Sequence, residues 1–232
     1  MDYVFVYCGG KCGSSTLHTT FINNNYNSLH VHSNEHYQSF CEDYSTIFEH
    51  IDITCKKHER VYVIDSYRTP IERKISSFFQ NISSHLPNYE ALTIQELIDW
   101  FNNNMIMHLE EYHSINEAFA HYNLPSFTKF DFTRRYNIMQ HKNITFIKVL
   151  FKDIHNWGAI LSQIFQKEIT MYNENLTENK EIYNLYKQFK ELYKVPQTYL
   201  YKALLQDAEF KIYNTEIEQA DYIRIWSKRT IE

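Results

Sequence analysis

Three of the four glycines in this 232-residue chain lie at positions 9–13, and this clustering constrains the fold more than any other feature. They follow the apolar run Tyr3–Tyr7, which predicts a strand, and they precede a stretch from Ser14 to about Asn23 that predicts a helix. A glycine loop between a strand and a helix can bring backbone amides and the positive end of the helix dipole to an anion. The sequence therefore predicts a phosphate-type site formed by Gly10, Lys11, Cys12, Gly13, Ser14, Ser15 and Thr16.

The order of residues in this loop excludes a Walker A motif, in which a lysine directly follows the last glycine. Here Lys11 precedes Gly13, and three hydroxyl residues follow that glycine. An ordinary ATPase or GTPase is therefore disfavoured. The alternative to an anion site is a tight turn capped by serine.

Strands and helices alternate along the rest of the chain. Runs of β-branched and apolar residues predict strands at 28–33, 60–67 and 144–151, and helical spacing of apolar residues predicts helices that begin near Thr69, Thr93, Trp157, Ile182 and Tyr199. Two capping boxes are expected, Thr69 with Glu72 and Thr93 with Glu96, and the second of these helices is expected to reach Tyr112. We expect a single α/β domain over residues 1–232, with a central, mainly parallel sheet flanked by helices and a helical insert at 85–142.

Composition excludes several classes of protein. With 44% hydrophobic and 16% aromatic residues the chain is not disordered, and it contains no long uncharged apolar run, so we expect a cytoplasmic protein without a membrane span. A net charge of -5 argues against general binding of nucleic acid. The four cysteines form no CxxC pair, so we expect free thiols and no bound metal.

A second candidate anion site lies in "YRTPIERKISSF". Arg68 comes just before a helix that begins with proline, and Arg73, Ser76 and Ser77 follow at helical spacing. The guanidinium and the amino end of that helix could share a phosphate. The alternative is a charged, solvated helix face with an arginine–glutamate surface pair.

Together these two motifs resemble those of sulfotransferases that use 3′-phosphoadenosine 5′-phosphosulfate (PAPS). "GKCGSSTL" is similar to the 5′-phosphosulfate loop of that family, and "RTPIERKIS" is similar to its 3′-phosphate motif, with Arg68 and Ser76 eight positions apart. The likeness covers about the first third of the chain, and it implies a P-loop-like sulfotransferase fold that needs no metal. It also implies that Lys11 contacts the transferring sulfuryl group, that Ser14, Ser15 and Thr16 hold the 5′-phosphate, and that Arg68 and Ser76 hold the 3′-phosphate.

The segment "LHVHSNEHY" supplies four candidates for the general base that an acceptor hydroxyl needs, namely His30, His32, Glu35 and His36. In a strand His30 and His32 point to the same face. Heparan sulfate and chondroitin 2-O-sulfotransferases look similar here, and that likeness implies His32 as the base. Other glycan sulfotransferases use a glutamate in this region, which keeps Glu35 as an alternative.

The resemblance implies a carbohydrate hydroxyl as the acceptor, and the insert at 85–142 offers His108, Glu110, Glu111, His113, Arg134 and Arg135 as candidate contacts. Two other functions stay open. One is an atypical nucleotide or polynucleotide kinase that uses the same loop with ATP and magnesium, and the other is a non-catalytic nucleotide-binding protein.

Overall fold

The computed structural model of the chain describes residues 2–107, 115–173 and 182–231, which fall into two compact units. The first unit comprises Met1–Arg68 and Tyr112–Asn175, and the second comprises Thr69–Glu111 and Leu176–Glu232. The predicted insert at 85–142 thus has its first part in the second unit and its last part in the first. No helix of the described residues is long and apolar enough to cross a membrane.

The first unit contains a five-stranded sheet of order β2-β1-β3-β5-β4. Its strands are β1 (Tyr3–Tyr7), β2 (Asn27–Val31), β3 (Val61–Tyr67), β4 (Tyr136–His141) and β5 (Ile144–Leu150). β1 pairs in parallel with β2 and β3, and β3 pairs in parallel with β5, whereas β4 is antiparallel to β5. The predicted α/β class with a mainly parallel sheet is therefore confirmed.

Helices cover both faces of this sheet. They are α1 (Ser14–Asn23), α2 (Asn34–Gln38), α3 (Ile47–Lys57), α7 (Ile115–His121) and α8 (Trp157–Phe165). On one face, alternate strand residues such as Val6 and Ile64 pack with Leu17 of α1 and Leu161 of α8. On the other face, residues such as Phe5, Val63 and Phe146 pack with Ile51 of α3 and Phe119 of α7. Because both faces are buried, the central strands are nearly continuous apolar runs, as expected for a parallel sheet.

A buried ion pair interrupts the apolar centre of the sheet. Asp65 of β3 and Lys148 of β5 lie opposite each other in the strand register, and Lys148 Nζ is 2.6 Å from Asp65 Oδ2 with both side chains fully buried. The same carboxylate oxygen accepts a hydrogen bond from the Ile115 amide at the start of α7, at 3.0 Å. The pair therefore joins two neighbouring strands to a helix that covers them.

The second unit is mostly helical. Its α-helices are α4 (Pro70–Gln80), α5 (Ile82–His85), α6 (Ile94–Phe101), α9 (Tyr183–Leu192), α10 (Ala208–Tyr213) and α11 (Glu216–Ser227), and the short strands β6 (Val195–Pro196) and β7 (Thr230–Ile231) pair in parallel. Aromatic side chains from five of these helices form its core, among them Phe78, Phe101, Phe189, Phe210 and Trp226.

Several sequence predictions for this unit need correction. The Thr93 and Glu96 capping box is confirmed, but α6 ends at Phe101, and a π-helical turn, Asn102–Ile106, follows it. The rest of the predicted helix, with Leu109 and Tyr112, lies outside the described residues. The Thr69 and Glu72 capping box is wrong, because Thr69 makes no capping hydrogen bond and Glu72 accepts one from the Tyr222 hydroxyl at 2.6 Å.

The sequence predicts a helix that begins near Tyr199, and the structure divides this C-terminal stretch into several short elements. A π-helical turn, Tyr199–Ala203, and a 3-10 turn, Leu204–Gln206, precede α10 and α11. The side chain of Asp207 caps the amino end of α10, and that of Thr215 caps the amino end of α11, so a new helix begins after each of these residues.

We expect Lys148→Met to lower the free energy of unfolding by about 3 to 5 kcal/mol, because it leaves the Asp65 carboxylate buried without its cation. Asp65→Asn should have a comparable effect, and the double variant should lose less than the sum of the two. Urea unfolding of the single and double variants measures this coupling. The control is Arg60→Ala, which removes an exposed pair with Asp2 and should cost no more than about 1 kcal/mol. Additive effects of Asp65→Asn and Lys148→Met would contradict the prediction.

Candidate anion-binding site

Two residues of the loop between β1 and α1, Lys11 and Gly13, have a left-handed backbone conformation. Gly13, the residue before α1, has φ 84° and ψ 17°, and Lys11 has φ 68°. A Cβ atom on Gly13 would lie 2.7 Å from Trp157 Cη2 and 3.1 Å from Phe151 Cδ2, whereas one on Gly10 would meet nothing within 4 Å. Gly13 is therefore required by both its dihedral angle and its close approach to Trp157, and the Gly10 side of the loop faces open space.

The amino end of α1 fits an anion. The hydrogen bond from the Leu17 amide to the Gly13 carbonyl, at 3.1 Å, is the first bond of the helix ladder, and Gly13 provides no capping side chain. Its first turn carries Ser14, Ser15 and Thr16 and no acidic residue. An α-helix leaves its first amides without carbonyl partners in the helix, and the dipole places positive charge there. These predicted residues are therefore together at one helix end, in an arrangement suited to phosphate.

Arg68 lies against the same loop. Its Nη1 donates a hydrogen bond to the Lys11 carbonyl at 2.9 Å, and its guanidinium carbon is 4.4 Å from the centre of the Phe151 ring. This hydrogen bond stabilises the left-handed backbone conformation of Lys11. A guanidinium has five N–H donors in a rigid plane, so one bond to a carbonyl does not exhaust its capacity for an anion. The structure therefore brings Lys11, Arg68 and the amino end of α1 together in the first unit.

Ser76 belongs to the second unit, where it is half-buried on α4. Its predicted role as a 3′-phosphate ligand therefore stays a prediction from the motif. The candidate acceptor contacts of the predicted insert also stay a prediction from the sequence. Arg134 and Arg135 form ion pairs at 3.5 Å with Asp131 and Asp153, and His108, Glu110, Glu111 and His113 lie outside the described residues.

His32 is tied to the start of the loop. It follows the last residue of β2, and its Nδ1 lies 2.8 Å from the Cys8 carbonyl oxygen. Since a carbonyl can only accept, Nδ1 carries the proton, and in the neutral ring Nε2 then has the lone pair. This tautomer is the one that a general base needs in order to take a proton at Nε2.

His30 has a different environment. Its ring lies 4.5 Å from that of His32 and nearly perpendicular to it, and its Nε2 is buried without a hydrogen-bond partner among the described residues. Burial, with a smaller contribution from His32, lowers the pKa of His30 to about 3. A ring that holds a proton so weakly is a poor general base at neutral pH, which argues against His30 in that role.

Glu35 and His36 lie on the short helix α2, and both side chains are exposed. Ser33 caps this helix by accepting a hydrogen bond from the His36 amide at 3.1 Å, and His36 Nδ1 accepts one from the His32 amide at 3.2 Å. Burial, followed by the charge of His32, lowers the pKa of His36. Both candidates therefore lie close to His32 in the chain.

Three residues near the site were missed by sequence reasoning. Phe151 and Trp157 pack against Gly13, and His18 of α1 places its ring 5.8 Å from that of His30. Four histidine rings thus form a row in the order His18, His30, His32 and His36. The ring centres are 4.5 Å apart for His30 and His32 and 5.0 Å apart for His32 and His36. No local signal marks these contacts, because each joins residues from different elements. Among the described residues, no group of three His, Cys, Asp or Glu side chains has a geometry that could hold a metal ion.

Comparison of the chain with protein-family models, with curated proteins and with solved structures gave no significant match.

We expect Gly13→Ala to lower the free energy of unfolding by about 2 to 4 kcal/mol, because its Cβ meets Trp157 and the residue must keep a left-handed conformation. Gly10→Ala is the matched control, since its Cβ enters open space, and it should cost less than about 1 kcal/mol. Chemical denaturation of the two variants measures both losses of unfolding free energy. Equal losses would mean that Trp157 gives way and that Gly13 is not required.

The low pKa of His30 predicts a pH dependence of stability. The folded state keeps His30 neutral, whereas the unfolded chain takes up a proton below about pH 6.5, so stability is lost as the pH falls from about 6.5 toward 3. Between pH 7 and pH 5.5 the wild type should lose about 1 kcal/mol more than His30→Asn, measured by urea unfolding at each pH. His155→Asn, which removes a histidine from an exposed position, is the matched control. An identical dependence in His30→Asn would show that His30 is not the group responsible.

Proposed function

We propose that this chain is a sulfotransferase that moves the sulfuryl group of PAPS to a hydroxyl of a carbohydrate acceptor. One observation carries the proposal: the anion loop and the candidate base are joined at Cys8, whose carbonyl accepts the hydrogen bond from His32 Nδ1 at 2.8 Å. A loop suited to a phosphosulfate and a histidine with a basic Nε2 are thus held by the same backbone segment.

The loop provides the electrostatic part of the reaction. The amides at the amino end of α1 and the hydroxyls of Ser14, Ser15 and Thr16 bind the 5′-phosphate, and Lys11 contributes a cation next to the phosphosulfate bridge. Arg68 adds a second cation that is already fixed to the loop through the Lys11 carbonyl. Negative charge grows on the leaving phosphate during transfer, and fixed positive groups stabilise it without the help of a metal ion.

The transfer itself is an in-line displacement. The acceptor oxygen forms a bond to sulfur while the bond from sulfur to the bridging oxygen breaks, and His32 Nε2 accepts the hydroxyl proton. The products are a sulfate ester and 3′-phosphoadenosine 5′-phosphate, and the protonated His32 returns its proton to solvent. The Cys8 carbonyl also suits the second state of the ring, since it keeps accepting from Nδ1 when His32 is positively charged.

The position of Lys11 separates this proposal from the kinase alternative. A lysine ahead of Gly13 resembles the sulfuryl-transfer loop, and a nucleotide kinase of the Walker type would place it after that glycine. The non-catalytic alternative keeps nucleotide binding and loses the role of His32. Nucleotide preference and turnover therefore distinguish the three functions.

We expect 3′-phosphoadenosine 5′-phosphate to raise the melting temperature more than ADP does, without magnesium, because a ligand that binds only the folded state stabilises it. Lys11→Ala should abolish both this shift and transfer from labelled PAPS to a glycan acceptor. Lys57→Ala, which removes the same charge from an exposed position, should leave both unchanged. His32→Ala should keep the shift and lose about 10²- to 10⁴-fold in turnover, as expected for a general base.

Protection by ATP with magnesium, and none by the 3′-phosphorylated nucleotide, would overturn the proposal in favour of the kinase. Binding of the 3′-phosphorylated nucleotide without transfer to any glycan, polyphenol or lipid hydroxyl would favour the non-catalytic protein.

A further inference from the structure

We propose that Phe151 is a positioning residue of the anion site, and that its ring holds the Arg68 guanidinium against the glycine loop with its charge available to an anion. This role rests on the proposed function in one respect, namely that the loop between β1 and α1 binds a phosphate-type anion. Phe151 lies outside both of the motifs described above, in the segment that directly follows β5.

Arg68 has no carboxylate partner among the residues that the structure describes. Its Nη1 donates a hydrogen bond to the Lys11 carbonyl at 2.9 Å, and its guanidinium carbon lies 4.4 Å from the centre of the Phe151 ring. Other arginines form ion pairs with aspartates, namely Arg60, Arg134, Arg135 and Arg224. A carbonyl and an aromatic face attract a guanidinium without cancelling its net charge. The positive charge of Arg68 therefore stays available to a ligand.

The Phe151 ring contacts the helix end of the site as well as its cation. A Cβ atom on Gly13 would lie 3.1 Å from Phe151 Cδ2, and Gly13 directly precedes the amino end of α1. The ring therefore sets where the Arg68 guanidinium lies relative to the positive end of the helix. An anion that contacts both groups is sensitive to their separation, because the Coulomb energy falls with distance.

The fold itself places the ring beside the guanidinium. Tyr67 of β3 and Leu150 of β5 are partners in the strand register, and Arg68 and Phe151 are the next residues of the two strands. The Phe151 ring stands nearly perpendicular to that of Trp157, with 6.3 Å between the ring centres. Trp157 is fully buried, and its Nε1 donates a hydrogen bond to the Leu150 carbonyl at 2.9 Å. Neighbouring strands and a buried side chain thus fix the ring.

A guanidinium held in this way is ordered before an anion arrives. An arginine side chain has many rotamers, and ordering it on association weakens binding. The ring and the Lys11 carbonyl restrict Arg68 in the free protein, so less order is gained when the ligand binds. Removal of the ring should therefore weaken binding through Arg68, and it should have little effect once Arg68 is absent.

The test is a double-mutant cycle on the dissociation constant for 3′-phosphoadenosine 5′-phosphate, measured by isothermal titration calorimetry. Phe151→Leu keeps an apolar side chain and removes the aromatic face, and we expect the constant to rise about 3- to 30-fold. Arg68→Ala should raise it at least as much. In the Arg68→Ala background, Phe151→Leu should change it by less than about twofold. Phe151→Tyr keeps the ring and should bind as the wild type does.

The matched control is Phe132→Leu, which removes an aromatic ring from another cation, Lys152, whose Nζ lies 5.3 Å from the ring centre. It should leave the dissociation constant unchanged. An equal loss from Phe151→Leu with and without Arg68 would overturn the proposal, because the ring would then act through the packing of the loop alone. Wild-type affinity in the folded Phe151→Leu protein would overturn it as well. If Phe151→Leu does not fold, Phe151→Met carries the same test.

The proposed function and the role of Phe151 can fail separately. If 3′-phosphoadenosine 5′-phosphate does not bind and inorganic pyrophosphate does, the proposed function fails, and the same cycle with pyrophosphate tests Phe151. If the nucleotide binds and the cycle shows no coupling between Phe151 and Arg68, the role of Phe151 fails and the proposed function is unaffected. Failure of the wild type to bind either probe overturns both.

Discussion

The buried ion pair between Asp65 and Lys148 is the interaction on which the described sheet depends most. Two charges without solvent cost several kcal/mol each, and only close, well-oriented contact offsets that cost. The contact of 2.6 Å and the additional bond from the Ile115 amide both fall on Asp65 Oδ2 and offset part of that cost, while Oδ1 is buried with no hydrogen-bond partner among the described residues. A slip of one residue between β3 and β5 would separate the charges, so the pair also fixes the register of the two strands. The ends of β3 and its neighbour β1, which lead to Arg68 and to the glycine loop, are fixed with it.

The candidate site is a product of main-chain geometry as much as of side chains. The Gly13 dihedral angle, the Lys11 carbonyl and the Cys8 carbonyl each set the position of a group that could act on an anion or a proton. Parallel sheets bring such groups together because the carboxyl ends of neighbouring strands share an edge. The site therefore needs few specialised residues, and most of them follow β1.

Much of this arrangement could be predicted from the sequence. The strands near residues 3–7, 61–67 and 144–150, helix α1 and the capping box at Thr93 follow from local apolar patterns and cap residues, and the structure confirms them. β4 was missed because it is an edge strand in which polar residues, such as Asn137 and Gln140, interrupt the apolar ones, and only its first residue is buried. The π-helical turns and the failed cap at Thr69 depend on tertiary contacts, which no local pattern contains. Phe151 and Trp157 were missed for the same reason, since they reach Gly13 from a distant part of the chain.

The link between His32 and Cys8 runs through a backbone carbonyl, and this has a consequence for how the site tolerates change. Every amino acid at position 8 would supply the same acceptor, so the orientation of the imidazole does not require a cysteine there. The Cys8 thiol can therefore be replaced by mutation without removing the acceptor that orients His32. The residue at position 8 can therefore change without changing which nitrogen of His32 carries the proton.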